Sequence, residues 1–491
     1  MTELNSVKDV LIVGAGPTGL TLACDLARRG VRALLVERAG TLFPGSRGKG
    51  IQPRTQEVFD DLGVLDEALA LGGTYPTGMI WRDGERQGEQ PMFEEVAPTP
   101  TEPHTVPLML PQWRTQEILH ARLRELGGAD VEFGTALTAL AQDEDGVTAE
   151  LSTDHGTRTV RARHLVAADG GRSTVRRALG VTMTGEAVDP YPTIVADVRI
   201  RTGALDRDHW HMFPPAADDD TLAHTFTALC PLAGTEDFQL AARLPEDATP
   251  DLSPGAVRTL IAARTHLAAE DVTEIRWASD FRPRAAMADR FRVGRVFLAG
   301  DAAHVHSPAG GQGLNTGVQD AYNLGWKLGA VLRDGAPAAL LDTYEEERLP
   351  VAASVLDLST RVHRQQESRG RATQQLGLNY RESPLSAEER DHLGESTLQA
   401  GDRAPDGPTT DGGHLFDLFR GPHWTLLAVD MDTPGSELPP LNTDLIHVHH
   451  LQPYEPYGRG LFLVRPDGYV GWTGTDAATL PDYLKHFTAN V

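Results

Sequence analysis

The chain of 491 residues contains only two cysteines, Cys24 and Cys230. Two thiols so far apart in sequence exclude a disulfide framework and a thiolate metal cluster, no metal site is expected, and a reducing cytoplasmic compartment is the expectation. No run of about 20 apolar residues occurs, so no membrane-spanning helix is expected. The apolar run beginning at Val10 is too short for a secretory signal. Basic side chains are in the minority: 45 Lys and Arg against 69 Asp and Glu give a formal charge of −24. That balance repels phosphate backbones and anionic lipid, so neither nucleic acid nor a membrane is an expected partner. The remaining composition, 40% hydrophobic and 23% charged, is that of folded protein, and its length exceeds one ordinary core, so two or three domains are expected.

The most informative stretch runs from Asp9 to Ala23. Val10-Leu11-Ile12-Val13 reads as a strand and runs directly into Gly14-Ala15-Gly16-Pro17-Thr18-Gly19, after which apolar residues recur at helical spacing to Arg29-Gly30. Each glycine answers a separate demand: Gly14 the tight turn, Gly16 close approach of a pyrophosphate to the backbone, Gly19 close packing of helix on strand. A second strand, Arg32 to Val36, ends in Glu37, about 20 residues beyond the glycines, where a carboxylate can accept from a ribose 2′-OH. A 2′-phosphate beside Glu37 would meet like charge, so this pocket suits FAD or NAD and not NADP. Arg38 to Gly50 is a glycine-rich basic loop with Arg47 at its middle, placed to bring a guanidinium to a cofactor.

Two further strand ends repeat the theme. His164 to Ala168 runs into Asp169-Gly170, with Ser173 as a helix N-cap; Arg295 to Ala299 runs into Gly300-Asp301. The ligand-binding groups of parallel α/β sheets sit at such strand ends. After Asp301 comes a Pro- and Gly-rich loop, Ser307 to Gly313, and then a helix with apolar residues at Val318, Ala321, Leu324, Leu328 and Val331. Its exposed N–H groups form a site for developing negative charge. Between these motifs, Val131 to Phe133, Val147 to Leu151 and Thr159 to Val160 read as a small antiparallel meander, and Gln112 opens a helix. From Pro190 to Pro283 there are no nucleotide motifs, while Tyr191, His209, Trp210, His211, Phe213, His224 and Phe226 cluster. This region reads as a mostly β domain presenting an apolar wall, most of it packing. The arginines Arg361, Arg364, Arg369 and Arg371 read as the solvated face of a charged helical connector.

Taken in order, the three loops resemble the FAD-dependent aromatic hydroxylases typified by p-hydroxybenzoate hydroxylase and phenol hydroxylase, especially their polyketide-tailoring relatives of antibiotic biosynthesis. The resemblance implies an α/β fold: a Rossmann-like FAD-binding domain (1–74, 111–184 and 287–395), an inserted, mostly β substrate-binding domain (75–110 and 185–286), and a thioredoxin-like C-terminal α/β domain (399–491). The last carries the Asp402-Arg403-Ala404-Pro405-Asp406 stretch and no cysteine, which excludes dithiol chemistry there. It further implies that Gly14, Gly16, Pro17, Thr18, Gly19, Glu37 and Arg38 hold the ADP half of FAD, and that Arg47 and Gln112 contact the flavin and its ribityl chain. Asp169 and Gly170 resemble the Asp-Gly pair touching FAD and reduced nicotinamide, Asp301 the ribityl ligand, and Pro308, Gly311, Gly313, Leu314 and Asn315 the loop over the isoalloxazine.

The implied reaction is NADPH or NADH reduction of bound FAD, formation of a flavin C4a-hydroperoxide with O2, and oxygen transfer to an electron-rich aromatic ring, in a monomer or homodimer. Arg47 and Pro308 stand at the flavin front; no base is forced, and His211 and Tyr191 are candidates from position alone. Baeyer–Villiger insertion and a non-oxygenating flavin reductase remain open on the motifs. An apolar middle domain favours a polycyclic polyketide over a small phenol.

Overall fold

The computed structural model describes residues 7–94, 96–215, 225–366, 368–391, 393–394, 397–431 and 441–487; His224 lies outside them. At its centre, the Lys8–Val13 strand, whose Val10 to Ile12 are fully buried, pairs in parallel with Ala33–Val36 on one side and Gly156–Ala167 on the other. Gly156–Ala167 in turn pairs in parallel with Val296–Leu298. The register sets Val13 against both Val36 and Ala167, and Ala167 against Leu298. All of these strands therefore end at one level, and the loops carrying Gly14, Glu37, Asp169 and Asp301 leave the same sheet edge.

The helix Pro17–Arg28 follows because Pro17 tolerates the first helical position and Leu20, Leu22, Ala23 and Leu26 recur on the buried face. It packs against the helices Gln112–Glu125 and Gln312–Gly329. Parallel strands covered by helices on their faces are expected to be apolar throughout, as Leu165, Val166 and Ala167 are.

A second sheet of seven strands runs in the order Val272–Phe281, Thr193–Ile200, Asp237–Arg243, Phe226–Pro231, His209–Phe213, Thr77–Arg82, Glu85–Gln90. Alternation gives it two unlike faces. Ile194, Ala196, Val198, Leu229, Phe238 and Leu240 form one, packed with Val257 and Ile261 of the helix Pro254–Arg264. The opposite face carries Asp197 paired with Gln239, Cys230 also paired with Gln239, and Trp210 paired with Gly78.

The C-terminal region forms a mixed five-stranded sheet in the order Ala387–Glu388, Val470–Gly474, Gly460–Val464, Trp424–Val429, Ile446–Leu451. It docks on the first region through fully buried charge: Glu347 accepts from Lys327 Nζ at 2.7 Å and from both terminal nitrogens of Arg465 at 2.7 and 2.9 Å. Among the described residues no helix is long and apolar enough to cross a membrane.

Two sequence expectations need correction. Val131 to Phe133 is not a strand of the meander; it contributes one bridge from Glu132 to Val36, and the first meander strand is Ala136–Gln142. The connector arginines are not one solvated face. Arg364 pairs with Glu186 at 2.8 Å and Arg371 with Glu102, whereas Arg369 turns inward against Phe93 and Trp210. A charge run carries no periodic signal that distinguishes these fates.

Candidate active site

The three loops are locked to one another by missing side chains. A Cβ on Gly14, at φ +106°, would lie 2.3 Å from the Ala168 carbonyl oxygen, and one on Gly19 would lie 2.0 Å from that of Gly14. Thr18 fills the space that Gly300 and Gly317 leave, since a Cβ on either would come within 2.6 Å of its hydroxyl. Gly16 differs: among the described residues, nothing beyond its own stretch of chain lies within 4 Å of its absent Cβ. Its smallness serves whatever enters the cleft, not the packing of the chain.

That cleft has a volume of about 440 Å3 and is lined by Gly14 to Gly16, Glu37 to Ala39, Gln112, and Ala168 to Gly170. Glu37 accepts from the backbone N–H of Ala15 and of Ala39, both at 2.9 Å. Each carboxylate oxygen so engaged keeps a second lone-pair direction for a ligand hydroxyl. Asp169 Oδ2 accepts from the N–H of Thr174 at 2.7 Å and of Val175 at 3.3 Å, and Ser173 caps the helix there. Among the described residues Asp169 Oδ1 is buried with no partner, an orphan acceptor in the cleft wall that calls for a donor.

Asp301 lies deep in the molecule yet is solvent-accessible, so it lines an interior space, which it shares with Gly313 and His306. Burial raises its pKa, against the pull of His304 and Arg47. A buried network holds this turn. Asp320 accepts from His304 Nε2 at 2.6 Å, the Gly300 N–H at 3.0 Å and Arg348 Nε at 2.8 Å. The sequence reading missed His304, Asp320 and Arg348; only the strand-loop-helix context of Asp301 points toward them.

The helix Gln312–Gly329 begins after two consecutive left-handed glycines, Gly310 at φ +79° and Gly311 at φ +66°, with no side-chain cap. Asn315 is spent on the backbone: it accepts from the Gln52 N–H at 2.8 Å and donates to the carbonyls of Gly50 and Gly311 at 2.9 and 2.7 Å. It fixes the glycine loop to the segment after Arg47. Leu314 packs over Gly48, whose N–H donates to Gln112 Oε1 at 3.2 Å. Pro308 is exposed at the start of the loop. Arg47 donates to Ser279 Oγ at 3.2 Å and lies over the Phe43 ring at 5.3 Å, tying the loop to the seven-stranded sheet.

Of the residues offered as catalytic from position, His211 is misplaced. It sits on the helix-packed face; its Nδ1 accepts from Trp81 Nε1 at 3.0 Å and its Nε2 donates to the Asp206 carbonyl at 2.9 Å. Both nitrogens are engaged, and strand alternation turns it away from its neighbour Trp210. Tyr191 stacks on the Arg243 guanidinium at 5.4 Å, beside the Arg243–Asp189 ion pair.

The face of the sheet that bears Trp210 is more telling. Lys49 Nζ sits 4.4 Å from the centre of the Trp210 ring and donates to Gln239 Oε1; Gln239 donates in turn to the Ser46 carbonyl. Tyr75 packs against Phe93 at 4.7 Å and Trp210 at 6.1 Å. Asp197 is 3% exposed and lies beside Ser46 and Lys49; burial pushes its pKa up to about 6, against the pull of Ser46 and Lys49. None of these residues forms a sequence motif, because each comes from a different segment.

The residues present fit FAD: a Cβ-free approach at Gly16, acceptors at Glu37, Asp169 and Asp301, and an uncapped helix N-terminus after Gly311. The comparisons with known proteins agree. Residues 8–359 match the family model of the FAD binding domain, and residues 397–490 that of the aromatic-ring hydroxylase C-terminal region. A flavin-dependent monooxygenase of Mycobacteroides abscessus is 45% identical over 97% of this chain and 99% of its own. The 12-dehydrotetracycline 5-monooxygenase/anhydrotetracycline 6-monooxygenase of Streptomyces rimosus is 35% identical over 96% and 97%. Among solved structures, aklavinone-11 hydroxylase in a ternary complex with FAD and aklavinone superposes with a TM-score of 0.83 at 30% identity, covering 99% of each chain.

Proposed function

The chain belongs to the FAD-dependent aromatic-ring hydroxylases and is an FAD-dependent monooxygenase, and from that premise we propose that it hydroxylates a polycyclic phenolic polyketide at the expense of NADPH or NADH and O2. The observation that carries the substrate class is the interior aromatic wall of Tyr75, Phe93 and Trp210, set on the sheet face to which Arg47 is anchored. The tetracycline and aklavinone hydroxylases described above support it. Baeyer–Villiger insertion and a reductase without oxygenation are not favoured, since those relatives are named as monooxygenases and hydroxylases.

FAD, when bound, accepts the hydride and activates O2. The protein's part is binding, orientation and charge. In this reading Gly14, Gly16 and Gly19 bring backbone N–H groups to the pyrophosphate at the start of the Pro17–Arg28 helix, with Pro17 and Thr18 forming its first turn. Glu37 accepts from the ribose of the ADP half, Arg38 borders it, and Asp301 and Gln112 hold the ribityl chain. Asp169 and Gly170 close the wall between the two halves. The N-terminus of Gln312–Gly329, reached through Pro308, Gly311, Gly313 and Leu314, stabilises negative charge on the pyrimidine end of the ring. Arg47 sits on the substrate side as a second positive group.

The test is direct. The FAD-loaded protein is mixed with NADPH or NADH and a tetracyclic phenol under 18O2. Stimulated nucleotide oxidation with one labelled oxygen in a new ring hydroxyl is the expected result. A product labelled as a lactone, or nucleotide oxidation indifferent to every multi-ring phenol, would overturn the reading.

A further inference from the structure

Resting on the reading above, in which FAD meets the start of the Gln312–Gly329 helix, we infer that Gln375 is a positioning residue of the flavin site. Acting through Gln312, it fixes the Gly310–Gly311 turn and so sets how strongly that helix start stabilises negative charge on the cofactor. Gly310 and Gly311 are consecutive left-handed glycines, at φ +79° and +66°, and a glycine pair has many conformations open to it. Here side chains make the choice. The Gly310 carbonyl accepts from Gln312 Nε2 at 2.8 Å and from Gln52 Nε2 at 3.0 Å, which uses both of its lone pairs.

Gln312 is itself held at both ends of its amide. Its Nε2 also donates to the Thr373 carbonyl at 3.1 Å, and its Oε1 accepts from Gln375 Nε2 at 2.8 Å. Two carbonyls at one end identify that end as the nitrogen, and the Gln375 amide is oriented in turn. Gln375 Nε2 donates to Thr316 Oγ1 at 3.2 Å as well, and its Oε1 accepts from Gln319 Nε2 at 2.5 Å. Gln312, Thr316 and Gln319 follow one another at i, i+4 and i+7, a single stripe of the helix. One side chain therefore braces the first two helical turns, and all four residues are buried.

The Gln375 backbone is strained. It stands at φ +63°, a left-handed conformation that glycine adopts freely and a residue with a side chain does not. Such a conformation persists where its surroundings over-determine it. The flanking residues do so: Gln374 Nε2 donates to the Thr105 carbonyl at 2.7 Å, and Arg371 pairs with Glu102. At a position whose backbone suits glycine, the three hydrogen bonds of the amide account for glutamine. What the amide controls is direction. The first N–H groups of a helix have no partner within it, and their action on a nearby charge fades within a turn, so it depends on how the Gly310–Gly311 turn aims them.

The experiment uses the FAD-loaded protein and reads the two-electron reduction potential of the bound flavin against a reference dye, with xanthine and xanthine oxidase as the electron source. Gln375→Gly relieves the strain and removes the amide. The potential is expected to fall by about 30 mV, a roughly tenfold drop in the ratio of reduced to oxidised flavin, while the protein melts no lower than wild type. Gln312→Met should lower the potential at least as far, and the double variant no further than Gln312→Met alone, because the two residues lie on one route. Gln365, exposed and also left-handed at φ +57°, supplies the control: Gln365→Gly relieves strain elsewhere and should leave the potential unchanged. In wild type, FAD should slow amide hydrogen exchange at Gln312 to Leu314. No slowing overturns the reading of the helix start and the inference with it. Slowing together with an unchanged potential in Gln375→Gly and Gln312→Met overturns the inference alone, as does a double variant that falls by the sum of the single shifts. If Gln375→Gly does not fold, Gln312→Met decides.

Discussion

The two halves of the candidate site are built from different materials. The cleft at the edge of the parallel sheet is backbone: its shape depends on Gly14, Gly19, Gly300 and Gly317 having no side chain, and its acceptors Glu37, Asp169 and Asp301 stand within the few residues that follow strand ends. The aromatic cluster is side chain: Lys49, Tyr75, Phe93, Trp210 and Arg369 come from five separate segments, and none has special backbone geometry. Backbone demands restrict residue type and leave local motifs. Side-chain cavities restrict only the sum of what the segments bring together, so they can be re-lined without disturbing the fold.

The largest expected effect lies in the first half. Gly19→Ala forces a Cβ to 2.0 Å from the Gly14 carbonyl, an atom that cannot move without the strand, and should cost more than about 3 kcal/mol, beyond ordinary overpacking. Gly16→Ala meets nothing within 4 Å, so the apoprotein should keep its stability to within about 0.5 kcal/mol while FAD affinity collapses. Paired thermal melts and flavin titrations check this. Equal losses of stability in the two variants would break the distinction between packing glycine and ligand glycine.

Next in size is Glu347→Gln, a control that is side-chain-built yet structural. Glu347 receives Lys327, Arg465, Asn323 and Ser383, the last two at 2.7 Å, all buried. Breaking such a cluster should cost about 3–5 kcal/mol and loosen the C-terminal sheet before the parallel one. Arg465 and Lys327 hold the Glu347 pKa well below the usual carboxylate range. Its stabilisation is therefore present at neutral pH and lost as pH falls below about 4.3, the unfolded value; denaturant melts at pH 7 and pH 3 should show the variant's deficit shrinking.

Asp197→Asn should move stability the other way. Burial lifts the Asp197 pKa to about 6, above the unfolded value of about 3.9. The folded state then holds the proton more tightly between pH 4 and 6, so stability falls as pH rises through that window and stays lowered above it. Asparagine removes the penalty, and the variant should be more stable than wild type by about 2 kcal/mol at pH 8 and equal to it below about pH 4. A destabilised variant at pH 8 would mean that the cavity carboxylate earns its place in the fold, and the contrast between the two halves would narrow.

These expectations also show how far the sequence is legible. The strand, glycine turn, helix and terminal acid of residues 10 to 37 are read directly, because glycine at positive φ and a carboxylate at a strand end have few substitutes. The seven-stranded sheet is visible as a β region, but the alternation that separates Trp210 from His211 depends on which face the helix Pro254–Arg264 covers, a tertiary fact. Arg369 looks like its neighbours Arg364 and Arg371 in the chain and departs from them only because Phe93 and Trp210 wait on the other side. The buried His304–Asp320–Arg348 network joins residues up to 44 positions apart, a span no local pattern reports.

His211 gives the smallest effect and the sharpest test of that alternation. It is the histidine that position alone favours as a base, yet its ring lies between Trp81 and Phe238, with its Nδ1 and Nε2 committed to Trp81 and the Asp206 carbonyl. Burial lowers its pKa, consistent with a neutral ring that accepts from the indole and donates to the carbonyl. His211→Leu keeps the volume and leaves both partners unsatisfied, a cost of about 1–2 kcal/mol in stability. Hydroxylated product formed per NAD(P)H consumed, and its pH profile, should not change, because one residue along an extended strand is enough to put a side chain on the wrong side of the sheet. A lost alkaline or acid limb in that profile would return His211 to the reaction and require the sheet to face the flavin by its other surface.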